Sequence, residues 1–187
     1  MDVFGYSHRE FGEIMFPKPI TSLLFGVVAV IAGLSGAAGQ TRMIPTITSA
    51  AAMAGAEACE KLAAARGWRM SIYVLDATGM TLYMHRMNGA SEASARSALL
   101  KARTSWQQGA PTVDMENRIA PNNVGQTAVM ALQLGNVPMR GGHPILLDNP
   151  VERGGKATAG SIGVAGGTPA SDEECARAAQ AALVGVR

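Results

Sequence analysis

The chain has 187 residues, with 16 Lys and Arg against 14 Asp and Glu and a formal charge of +2. A balance this close to neutral, with no Lys/Arg cluster, excludes a nucleic-acid footprint. Hydrophobic residues make up 48% and aromatics only 5%, so the core of a single domain has to be built from Ala, Val, Leu, Ile and Met.

The first element reads as a targeting segment. "ITSLLFGVVAVIAGL", Ile20 to Leu34, carries no charge, follows Lys18 and leads into the small residues "SGAAGQ". An apolar run of about 15 residues suits a signal-peptide core better than a membrane span of roughly 20. An uncleaved anchor is the competing reading, since small residues extend the run to Ala38. Ala37 and Gly39 stand where a cleavage site before Gln40 needs small side chains, so residues 1–39 read as a signal peptide and 40–187 as one mature domain. The stretch before Met15 is long and mixed in charge, and a start at Met15 would give the basic opening "MFPKP". Export places the mature chain in the periplasm or outside the cell, free of the membrane after cleavage.

The mature chain opens with a helix from about Ser49 to Arg66, capped by Thr48 or Ser49 and ended by Gly67. Glu57 and Glu60 could share a metal ion, but Glu57 also stands four before Lys61, the pattern of a solvated face. A hairpin follows: a strand at about Arg69 to Leu75, the turn "DATG", and a return strand at about Met80 to Met87. Neither face of the return strand is purely polar, which predicts a sheet covered on both sides. A second helix runs from about Ser91 to Trp106, followed by the irregular "QQGAPTVDMENRIAPNNVGQ" with one or two helical turns. After the apolar "TAVMALQL", a glycine turn feeds a strand at about Pro144 to Leu147. "PVERGGKATAG" reads as a polar hairpin loop, "SIGVAGG" as the last strand and "TPASDEECARAAQAALVG" as the last helix. Thr168 with Pro169 offers that helix its cap, and Ser171 with Glu174 offers a capping box instead.

Hairpins interrupted by helices make an α+β pattern rather than a parallel doubly wound sheet. Cys59 and Cys175 both fall in alanine-rich helical stretches and read as small buried hydrophobes. A bridge between them requires the first and last helices to lie side by side. The glycines of "GVAGGTP" lack phosphate-loop spacing, and Asp172, Glu173 and Glu174 would occupy the positive helix end themselves.

"GSIGVAGGTPASDEECARAA", with "GGHPI" some way before it, resembles the C-terminal signature of the GlcG/HbpS-like haem-binding family, also called the haem-degrading domain and related to the C-terminal domain of PduO-type proteins. "VLDATGMTLYMHRMNGA" is similar to that family's hairpin, and Lys101-Ala102 with Pro111-Thr112 to its helix and exit. The resemblance covers about Ser49 to Val184. The chain departs from it in a longer Asn149–Ala159 loop and in His143 between the glycines and the proline. It implies a profilin-like sandwich, an antiparallel sheet with helices on both faces, the first and last helices packed together, assembly as a homo-oligomer, and haem as a ligand.

Haem needs an axial donor, an apolar slot and cations for its propionates. His143 is the candidate ligand, because Gly141 and Gly142 let a planar molecule approach. Arg86, Lys101 and Arg140 are candidate cations, and Met87, with Met84 and Met139, a candidate pocket liner or thioether donor. His85 reads as a core histidine, and His8 falls in the leader. Two other readings remain open. One is a binding protein or accessory enzyme for a small acid or aldehyde, with Asp76, His143 and Lys101 for acid–base work. The other is a structural homo-oligomer with a vestigial pocket. No nucleophile–base set and no C-x-x-C or H-E-x-x-H metal motif is present.

Overall fold

The computed structural model describes residues 43–119, 123–150 and 154–185. The leader and its cleavage site lie outside the described residues. Helix α1, Ser49–Arg66, starts at Thr48, whose side chain accepts from the Ala51 N–H, and ends at Gly67 with φ 71°. Strands β1 (Ser71–Asp76) and β2 (Thr81–Arg86) form the first hairpin. Helix α2 (Glu92–Gln108) and the short α3 (Thr112–Arg118) and α4 (Val124–Leu134) follow. Strands β3 (Gly142–Asp148) and β4 (Lys156–Ala165) form the second hairpin, and α5 (Pro169–Gly185) closes the chain. The sheet runs β2-β1-β4-β3, with every pair antiparallel. This is the α+β sandwich anticipated, with helices on both faces.

The two faces are built from different residues because the strands alternate. Ile72, Val74, Ile145, Ile162 and Val164 point to one side, where Ala52, Ala56, Ala63, Ala176 and Ala179 of α1 and α5 cover them. On the other side Ser71, Ser161, Gly142 and Gly163 let α2 come very close. A Cβ on Gly163 would stand 2.1 Å from the Ala98 carbonyl oxygen, so only glycine fits there. Ser161 Oγ donates to the Ala102 carbonyl at 2.8 Å, tying helix to strand.

The second hairpin is longer than its residue types suggest. Strand β4 begins at Lys156, inside the stretch expected to be loop, because Ala157 and Ala159 are buried inward-facing positions. Alanine is too small to make that alternation visible in sequence. A bulge between Ile145 and Leu146 absorbs the register change. The irregular region resolves into α3 and α4, and no helix among the described residues is long and apolar enough to cross a membrane.

The choice between two free buried cysteines and a bridge, open in the sequence, falls to the bridge. Cys59 of α1 and Cys175 of α5 form a disulfide with Cα atoms 4.7 Å apart. Small side chains make the approach possible: Gly55 packs against Leu183, and Ala56 and Ala179 are buried beside it. The bridge spans 116 positions, and closing so long a loop in the unfolded chain stabilises the fold by about 2–5 kcal/mol. Replacing both cysteines by alanine is expected to lower stability by that order in a denaturant titration. Unreduced protein should take up no iodoacetamide under denaturing conditions, and uptake at both thiols would refute the bridge.

Candidate functional site

Around the turn Met139–His143, entering β3, stand the buried charged side chains of the described residues, Lys101, Asp172 and Glu173. Gly141 has φ 106°, and a Cβ there would lie 2.8 Å from the Val164 carbonyl oxygen and 3.2 Å from Lys101 Nζ. Glycine is therefore required on both counts. Gly141 N–H donates to Glu173 Oε2 at 3.0 Å, and Gly142 N–H to Thr112 Oγ1 at 2.9 Å.

Lys101, on α2, is 1% exposed. Its ammonium donates to Asp172 Oδ2 at 2.7 Å and to the Val164 carbonyl at 3.1 Å. The other Asp172 oxygen accepts from Gly167 N–H at 2.9 Å. A buried ammonium is tolerable only with such partners.

His143 points to the face covered by α5, and its Nε2 lies 2.9 Å from Glu173 Oε1. An ionised carboxylate only accepts, so Nε2 carries the proton. Arg177 Nε donates to the same oxygen at 2.8 Å. Burial alone would raise the Glu173 pKa, but hydrogen bonds from His143, Arg177 and Gly141 N–H outweigh it and hold the carboxyl at about 2.

Arg140 turns the other way, towards solvent, and grips Glu116 of α3: Nε stands 3.1 and 3.0 Å from the two carboxylate oxygens, and Arg140 N–H donates at 2.8 Å. Burial opposes ionisation of Glu116, yet these bonds bring its pKa below the ordinary value. Beside this pair opens a cleft of about 620 Å³, walled by Ile119, Ala131, Val137, Pro138 and Met139. A narrower recess of about 140 Å³ adjoins it, with Lys101 and Pro169 in its wall.

Five of the candidates, Gly141, Gly142, His143, Lys101 and Arg140, therefore meet at one turn. Arg86 and Met87 do not join them. Arg86 lies on the opposite edge strand and donates to the Ala90 carbonyl at 2.9 Å. Met87 is buried in the core, its sulfur 3.4 Å from Met70 N. Met139 is exposed on the cleft wall, whereas Met84 is exposed on β2. Asp76 serves the first hairpin turn, where one carboxylate oxygen accepts from Thr78 N–H, Thr78 Oγ and Met80 N–H. Asp76 thus sits apart from His143 and Lys101, and each of the three has its own structural partners. His85 lies 3.2 Å from Glu60 through Nε2, while Glu57 is exposed. Among the described residues no cluster of three His, Cys, Asp or Glu is placed to hold a metal ion.

Asp172, Glu173 and Glu116 were not singled out for these partners by sequence. In the sequence Asp172 and Glu173 read as satisfying their own helix end, whereas in the structure they meet Lys101 and His143. Thr168 supplies the cap, accepting from Ser171 N–H at 3.2 Å, and Glu174 pairs with Arg66 rather than closing a capping box. Three carboxylates in an otherwise apolar segment were the available signal of buried cations nearby. Glu116 carried none.

The family described as haem degrading protein HbpS-like matches residues 47–181. The chain belongs to this family. Solved structures agree with the HbpS-like assignment. HbpS is 31% identical, covering 79% of this chain and 97% of that one, with a TM-score of 0.64. The Klebsiella pneumoniae protein ORFY is 26% identical, covering 80% and 98%, with a TM-score of 0.69. A PduOC–heme complex, 23% identical over 73% and 94% with a TM-score of 0.62, shares the fold. No match is found among curated proteins.

The Glu173 network in this HbpS-like chain has a pH signature. Its folded pKa of about 2 lies below the ordinary 4.5, so the carboxylate stabilises the fold above pH 4.5 and loses that contribution as pH falls towards 2. Glu173→Gln is expected to flatten the acid limb of a stability–pH curve and to cost about 1–3 kcal/mol at neutral pH. An unchanged acid limb would contradict the network.

Proposed function

We propose that this is an exported haem-binding protein whose ligand occupies the cleft at Met139 and Arg140. The cleft itself carries the reading, since it combines an apolar wall, a cation and a soft donor. Ile119, Val137 and Pro138 would hold a planar apolar ring, Arg140 would meet a propionate, and the half-exposed Met139 could offer iron a thioether. Haem supplies a redox-active iron when bound, while degradation would need a reductant and oxygen from elsewhere. Membership of the HbpS-like family and the fold shared with a PduOC–heme complex support the ligand class. His143 is buried outside the cleft walls with its Nε2 proton committed to Glu173, which favours a supporting role over ligation.

Haem titration should therefore produce a Soret shift that Met139→Ala alters. His143→Ala should leave the band in place while lowering the melting temperature. Loss of the band in His143→Ala would return the ligand role to the imidazole, and no band in the unmodified protein would end the haem reading.

Export is the second part of the proposal. The uncharged run of residues 20–34 and its small-residue exit support it, and the Cys59–Cys175 bridge suits an oxidising compartment. Mass spectrometry of protein from the exporting host should find a mature N-terminus near Gln40; intact Met1 in the membrane fraction would contradict it. Assembly into a homo-oligomer completes the reading, supported by the exposed Val129, Leu132 and Leu134 on α4 and by the open edge of β2.

A further inference from the structure

The wide cleft and the narrow recess meet at one ion pair. Glu116, Pro138, Met139 and Arg140 stand in the walls of both. Arg140 offers Glu116 its Nε, its Nη2 at 3.0 Å and its own peptide N–H, so the carboxylate is held by a guanidinium fork and a backbone donor together. That donor set is how proteins receive the carboxylate of a ligand. The pair is also accessible, with side chains 32% and 33% exposed. The neighbouring charges are buried and committed: Lys101 to Asp172, and Glu173 to His143 and Arg177. Glu116 sits on α3, a helix of 7 residues with no side-chain cap, so little structure has to move to withdraw it.

We propose that this corner is a carboxylate-binding site and that Glu116 fills it as an internal competitor until a ligand carboxylate takes its place. The ligand class is an amphipathic carboxylate, with its apolar body against Ile119, Val137 and Pro138 and its anionic end on Arg140. The inference rests on the proposed use of the cleft and extends it: propionates are such carboxylates, but so are the ends of small apolar acids. Bonds from Arg140 keep Glu116 ionised at neutral pH against the effect of burial, so the competition is always present there.

The probe is 4-phenylbutyrate, compared with its uncharged amide by calorimetric titration of the full chain. Glu116→Gln keeps the side-chain shape and removes the competing charge. Phenylbutyrate affinity is expected to rise roughly fivefold in this variant, the scale of a half-exposed bidentate ion pair, with no change for the amide. Arg140→Ala should abolish the preference for acid over amide. Glu116→Ala, checked by circular dichroism, should give the same rise if the glutamine variant folds poorly. Equal affinity in the unmodified protein and both Glu116 variants, equal binding of acid and amide, or no saturable binding overturns the proposal. A haem titration of the same proteins separates the two readings. A phenylbutyrate response without a Soret shift removes haem alone, and a Soret shift with no effect of Glu116 on either ligand removes the carboxylate site alone.

Discussion

Two consecutive carboxylates near the start of α5, Asp172 and Glu173, hold the layers of this fold in register. Asp172 takes the ammonium of Lys101, which arrives from the helix on the opposite face of the sheet, and Glu173 takes the imidazole of His143 from the edge strand. The two meet at Gly141, where the absence of a Cβ leaves room for Lys101 Nζ and where the peptide N–H completes Glu173. An ion pair as deeply buried as Lys101–Asp172 contributes little net stability, because desolvation offsets most of the attraction. A misplaced partner is costly, however, since it leaves a charge in apolar surroundings. The arrangement therefore acts mainly as a positional constraint on α2, β3 and α5 together.

The sandwich surrounding that constraint is asymmetric for a simple steric reason. Branched aliphatic residues of the sheet meet alanine-rich helices on one side, so α1 and α5 can also approach each other closely enough to be bridged. On the other side serine and glycine in the strands bring α2 almost onto the backbone. The first face is thick with side chains and the second is thin, and a recess of about 560 Å³ opens at the margin of the first, between Ile47, Ala51, Leu147 and Leu183. The cleft beside Arg140 lies at the end of the sheet, where α3 and the segment after α4 form a wall.

This placement explains why the most reactive-looking groups are poor candidates for chemistry. Lys101 and His143 are occupied by the constraint, and Asp76 by a hairpin turn. Among the described residues that line the cleft, Arg140 and its partner Glu116 combine charge with access to solvent. A site made of one ion pair, one thioether and an apolar wall is suited to recognition more than to acid–base turnover.

Local signals determined a large part of the architecture. Thr48 and Gly67 bound the first helix as their residue types require, the "DATG" turn formed where Asp76 could accept from the following backbone, and hairpin–helix alternation pointed to an antiparallel sandwich. The motifs from Leu75 onward carried the family resemblance, because glycines forced by close backbone approach leave a readable spacing. The start of β4 was not legible, since buried alanines give no amphipathic pattern, nor was the helical form of "TAVMALQL". The disulfide was undecided for a different reason: two cysteines 116 positions apart reveal nothing until the helices carrying them are packed. The same holds for the charges. Sequence named Lys101, His143 and Arg140, but which carboxylate each would meet, and whether that meeting is buried or open to solvent, depends on elements far apart in the chain and was decided only by the tertiary structure.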